Sequence, residues 1–256
     1  MSNFLPIFKR ELRVYFTSPI AYAVIFIFLV LAGYFFYTTS AYYSISSFQA
    51  ARNPYGGGGL NYVDMLLTPY FGNLSVVMLL MLPLLTMRLF SEEKKTGTYE
   101  LLFSYPVRDL DVLMGKYLAA LLVFAVMIGL TFLNLALLFS AGVSEVGVVL
   151  AGYLGLFLMG AAFISLGVFI SSLTENQIVA AVISFGALLL IWVAGWSANS
   201  AGPPLGDVLQ YISLVTHLVN FAKGLIDTAD LAYYLIFTFF FLFLTLRSLE
   251  SKRWRA

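Results

Sequence analysis

The chain contains no cysteine and a single histidine, and only 11% of its 256 residues are charged. Without cysteine there is no disulfide, no thiolate metal site and no cysteine nucleophile. One histidine, His217, cannot supply the His-Glu-x-x-His helix of a zinc protease. No Gly-x-Ser-x-Gly turn accompanies it, so the sequence writes no serine–histidine hydrolase site either. The shortage of charge is the larger clue. An ordinary soluble domain is about 25% charged. With 61% hydrophobic residues, a chain this short cannot hide its apolar surface from water.

What the sequence does have is long apolar runs. Six of them, near Ile20–Ala41, Tyr70–Phe90, Tyr117–Ser140, Val146–Ile170, Ile178–Trp196 and Leu231–Leu246, are long enough to cross a hydrocarbon core of about 30 Å. The runs are continuous, without the alternation of a membrane β-barrel. The first is too long for a cleavable signal, and no A-x-A-like site follows it. The predicted fold is therefore an all-α integral membrane protein, one transmembrane domain over residues 1–256 with six transmembrane helices.

Lysine and arginine set its orientation. With the N- and C-termini in the cytoplasm, twelve of the 14 basic residues fall on the cytoplasmic side; Arg52 and Lys223 alone fall outside. The stretch Leu205–Ile226 is apolar enough to suggest a seventh span. It carries Asp207, Gln210, His217, Asn220 and Lys223, each costly at mid-bilayer, and a seventh crossing would send the basic C-terminus outside. The segment 197–230 is therefore expected to be external, with one or two short helices in or dipping into the outer interface and His217 and Lys223 accessible. At the other end, Phe4, Leu5, Phe8, Leu12 and Phe16 recur at helical spacing, with Lys9, Arg10 and Arg13 on other faces. Residues 4–16 read as an interfacial helix among anionic headgroups, ended by Ser18-Pro19.

Two glycine features resemble nucleotide sites only superficially. Gly56–Gly59, in an expected external loop Tyr42–Leu67, lacks the Gly-Lys-Ser/Thr of a phosphate loop. Gly115-Lys116 is followed by Tyr117, and Leu110 stands where the first glycine would be. In the fourth span Ala151/Gly155 and Ala161/Ser165 permit close helix approach, within the bundle or at a subunit interface. Pro83 should bend the second span. All 13 acidic residues lie in loops or at span ends, unlike the buried carboxylates of ion-coupled carriers.

One segment breaks the pattern. Arg88–Lys116 packs 10 charged residues into 29 positions, between flanks that have none. Within it, Thr98–Ser104 is helix-compatible: Thr98 can cap, Glu100 suits the first turn, Leu101 and Leu102 supply apolar surface, and Tyr105-Pro106 stops it. A short helix with exposed leucines suits a groove on another protein. A solvated loop is the plain alternative.

The stretch "LTMRLFSEEKKTGTYELLFSYPVRDLDVLMGKYLAALLV" resembles the second-to-third-span region of type-2 ABC exporter permeases, and more narrowly the gliding-motility-associated permease family. "FKRELRVYFTSPIAYAV", "GYLGLFLMGAAFISLGVFISSLTENQIVAA" and "FAKGLIDTADLAYYLIFTFFFLFLTLRSLESKRW" extend the likeness over nearly the whole chain except the first external loop. The resemblance implies a non-catalytic permease of an ATP-driven exporter or mechanotransmission complex in the bacterial cytoplasmic (inner) membrane. This chain would bind no cofactor; ATP and Mg would sit on a separate cytoplasmic ATPase. The coupling segment 91–116 would dock there, a role that falls on Glu92, Glu93, Thr98, Glu100, Leu101, Leu102 and Pro106. Glu175, in the turn "SSLTENQ", would make a lesser contact. Other implied partners are a second permease copy or paralogue, an accessory protein with an extracytoplasmic domain, and membrane lipids, but no nucleic acid. A stand-alone secondary carrier or membrane scaffold is the alternative.

Overall fold

The computed structural model describes residues 4–52, 61–97, 108–140 and 145–253. They form helices throughout, with no strand among them. Helix α1 (Phe4–Thr17) meets α2 (Pro19–Arg52) at Ser18. A short π-helical segment, Val63–Leu67, runs into α3 (Thr68–Thr86), which is followed by α4 (Arg88–Lys95). Then come α5 (Asp109–Ser140), α6 (Val146–Leu173) and α7 (Gln177–Ala201). Two short helices, α8 (Leu205–Ile212) and α9 (Leu214–Ala222), precede α10 (Thr228–Arg253). Six of the helical stretches are long and apolar enough to cross a membrane, and they coincide with the six predicted runs.

Helix α6 is the hub, packed against α3, α4, α5, α7, α9 and α10 and buried for most of its length. Its small residues make this possible. A Cβ at Gly152 would stand 2.2 Å from the Phe71 ring, one at Gly155 2.5 Å from Phe221 Cβ, and one at Gly160 2.0 Å from the Phe124 ring. Each glycine is a socket for an aromatic of another helix. At Gly155, one of the small residues singled out in the sequence, packing within the bundle is found.

Three elements depart from the sequence reading. Helix α2 does not end at Ala41 but continues to Arg52. At 1.5 Å per residue its 34 residues span about 50 Å, well beyond a hydrocarbon core. The predicted loop from Tyr42 therefore begins as helix, and Gly56–Gly59 lie outside the described residues. The second span starts earlier than Tyr70. Asn61 Oδ1 accepts from Val63 N–H at 2.9 Å, and the π turn that follows leads into the Thr68-Pro69 start of α3.

The outer hairpin is the third departure. Residues 205–222 do form two short helices, but α9 is inserted among the spans rather than laid over them. Leu218 and Phe221 are buried, and Phe221 packs at Gly155, nine residues into α6. His217, expected to be accessible, is only 6% exposed. Its Nδ1 lies 2.5 Å from Asp230, its Nε2 2.9 Å from the Tyr211 carbonyl oxygen, and its ring stacks on Tyr233 at 4.0 Å. Asn220 donates to the second Asp230 oxygen at 2.8 Å. Pairing removes the penalty that sequence alone assigns to these polar side chains. Gln210 and Lys223 remain exposed.

Candidate coupling site

Residues at the end of the bundle expected to face the cytoplasm converge through the break between α3 and α4. Pro83, with no N–H to donate to the preceding turn, lies one turn before the helix interruption at Met87. Backbone groups around the interruption are bonded by α6. Ser171 Oγ donates to the Met87 carbonyl at 2.9 Å and accepts from Phe90 and Ser91 N–H at 3.1 and 3.2 Å. Gly167 makes the approach possible, since a Cβ there would meet Thr86 Oγ1 at 2.1 Å. Lys94 then donates to the Ser172 carbonyl oxygen. Helix α4 is thus fastened to this end of α6, and Lys94 is part of the fastening.

On its other side α4 meets α1 and α5. Lys116 is 1% exposed, and its ammonium has three acceptors: Glu93 at 2.9 Å, Glu11 at 3.1 Å and the Leu89 carbonyl at 2.7 Å. The Phe90 ring lies 5.2 Å away. Arg10, at the rim, stands 3.7 Å from the same Glu93 oxygen and balances the second carboxylate. Gly115 lets α1 lie close: a Cβ there would stand 2.8 Å from Ile7. About two turns beyond Ile7 along α1, Tyr15 donates to the Leu85 carbonyl at 2.8 Å. Burial pushes this phenol well above its usual range, against a smaller opposing effect of Arg88, so it stays a neutral donor. Arg88 donates to Ser18 Oγ at 2.7 Å, which pins the α1–α2 elbow to the start of α4.

The protein-facing side of α1 is therefore Ile7, Glu11 and Tyr15, while Leu5, Val14 and Phe16 stay exposed, available to a headgroup interface. Sequence periodicity found the apolar residues of this helix but could not show that Glu11 faces inward. The nearest signal was Gly115, a small residue beside a charged one.

The candidate coupling residues fall into three groups. Glu92 is exposed on α4, whereas Glu93 is buried and held by Lys116. Glu175 is exposed in the α6–α7 turn, where Asn176 caps α7 by accepting from Ile178 N–H at 2.9 Å. Thr98, Glu100, Leu101, Leu102 and Pro106 lie outside the described residues. What the fold does bring together is the end of α4 and that turn: Lys95, Glu175, Asn176 and Ile178 line one cleft of about 480 Å³. Among the described residues no three His, Asp or Glu side chains come together as a metal site.

Among curated proteins no match to the chain is found. The family model described as ABC-2 family transporter protein matches residues 5–251, which takes in α1, all six spans and the outer hairpin. With 247 of its 256 residues matched, the chain belongs to the ABC-2 transporter family, as a multi-pass permease subunit of an ABC transporter.

Proposed function

We propose that this permease works with a separate cytoplasmic ATPase, exporting a cargo or transmitting force across the membrane as ATP is hydrolysed. The observation that carries this reading is the cleft where the end of α4 meets the α6–α7 turn. These are the two places that sequence resemblance names for ATPase contact, and they are far apart in the chain. The docking surface would combine Glu92 and Glu175 with Thr98, Glu100, Leu101, Leu102 and Pro106, with ATP and Mg held by the partner. Two permeases, as identical copies or paralogues, would complete the complex in a bacterial cytoplasmic membrane. An accessory protein with an extracytoplasmic domain would join it there. The four stretches resembling gliding-motility-associated permeases support that narrower membership without naming a cargo.

The test uses the tagged permease co-expressed with its ATPase. Truncating a buried interface anchor costs about 2 kcal/mol or more, a rim charge far less. Leu101→Ala together with Leu102→Ala should strip most of the ATPase from the permease and leave the thermal stability of the permease alone unchanged. Unchanged retention would reduce the segment to a solvated charged loop.

A further inference from the structure

The cluster around Lys116 combines features that packing alone does not require. Three of the chain's 27 charged residues, Glu11, Glu93 and Lys116, are buried together in a protein that otherwise keeps most of its charge at the surface. A buried ion pair is a poor source of stability, because desolvation offsets most of the attraction; apolar side chains of similar volume often do as well or better. What such a cluster supplies is a fixed relation between the elements that carry it. Here the relation is specific, because each of the three ammonium N–H groups of Lys116 has its own acceptor. One goes to α1 through Glu11, and two go to α4 through Glu93 and the Leu89 carbonyl. Lys116 itself stands in the second turn of α5. A single buried side chain therefore ties three helices whose other polar contacts lie at the rim.

The position of the tie matters as much as its strength. Helix α4 has eight residues, and its far end, Lys95, opens into the cleft shared with the α6–α7 turn. Its other side is held by Ser171 and Ser172 of α6. Helix α4 also packs on α3, α6 and α7, and α1 is the element that links it to the interfacial surface. It is linked to α1 and the α1–α2 elbow by charged and polar contacts: through Lys116 to Glu11, from Glu93 to Arg10, and from Arg88 to the Val14 carbonyl and Ser18. Of these only the Lys116 contact is buried, so only it keeps its strength unscreened by water and salt.

We propose that Lys116 is a positioning residue of the transport cycle, a three-way ionic joint that makes interfacial helix α1 move as one body with α4 and the start of α5. It touches no cargo and no nucleotide. Its role is to deliver motion of α4 to the α1–α2 elbow. This inference rests on the reading that the α4 end faces the ATPase.

The experiment compares the unsubstituted chain, Lys116→Met, and the exchange pair Glu11→Lys with Lys116→Glu, each full length in nanodiscs with its ATPase. The exchange pair keeps two carboxylates and one ammonium in the cluster while moving the ammonium to α1. Amide hydrogen exchange is read in α1 and in the spans, alongside the ATPase retained and its turnover in the complex. In Lys116→Met, exchange over Phe4–Thr17 should rise about tenfold or more while α3 and α6 keep their protection. The ATPase should remain bound, with its permease-stimulated turnover down about fivefold or more. The exchange pair should restore both. Unchanged α1 exchange, or free α1 with unchanged turnover, overturns the proposal. So does loss of protection in all spans at once, which marks a merely structural role. If no ATPase accompanies even the unsubstituted chain, the proposed function fails, and the exchange comparison alone decides whether α1 is fastened.

Discussion

At the scale of residues, buried polar pairs carry the information that hydropathy leaves out. His217 and Asp230 tie α9 to α10 within the bundle, with Asn220 on the second carboxylate oxygen and Tyr233 stacked on the imidazole. His217→Ala leaves the Asp230 carboxylate buried with a single side-chain donor. Removing one member of a buried pair costs about 3–5 kcal/mol, whereas replacing both members costs far less. His217→Ala should therefore lower the thermal midpoint in detergent clearly more than His217→Gln with Asp230→Asn does. Equal losses would mean that ring packing, not the pair, holds α9. Neither this pair nor the Lys116 cluster was legible in the sequence. Asp230 is thirteen residues from His217, and Glu11 is 105 from Lys116, so no local pattern joins them. Glu93 read as a coupling residue and Lys116 as the end of a charged segment, because the helix that covers them lies far away in the sequence.

Elements were legible wherever a continuous apolar run set their position. All six spans follow from that alone, and the elbow at Ser18-Pro19 follows from its proline. Their ends did not, because hydropathy marks where the lipid ends and not where the helix ends. Tyr42–Arg52 is polar enough to leave the bilayer yet holds no glycine or proline to stop the helix; the first breaker is Asn53-Pro54. The sockets of α6 show the converse, small residues visible in sequence whose partners were not. Phe124 is fully buried and stacked on Phe157 at 6.4 Å, so a methyl at Gly160 has to displace a ring with nowhere to go. Gly160→Ala should destabilise the fold by about 1–3 kcal/mol. Gly186→Ala on α7, where a Cβ meets nothing within 4 Å, should cost nothing. Thermal unfolding of the two variants side by side decides it; equal midpoints would show that α6 has slack that its packing denies.

At the scale of the whole molecule, the two ends differ in kind. The end expected to face the cytoplasm joins α1, α4 and α5 by charge and fastens α4 to α6 by hydrogen bonds; the other end buries a hairpin among the spans. The topology that follows can be checked by single cysteines in this cysteine-free chain. Cysteines at Gln210 and Lys223, both exposed, should react with an impermeant thiol reagent in intact spheroplasts, and one at Leu218, 2% exposed, should not. Reaction of the first two only in inverted vesicles would sink the six-span arrangement. The long α2 adds a mechanical consequence. It leaves the elbow at Pro19 and runs unbroken to Arg52, with no joint at which a twist could dissipate. A rotation applied at the cytoplasmic elbow, where Arg88 grips Ser18, would reappear at the far tip about 50 Å away. If α4 moves as proposed, α2 would serve as a drive shaft as well as a wall, carrying torque from one side of the bilayer to the other.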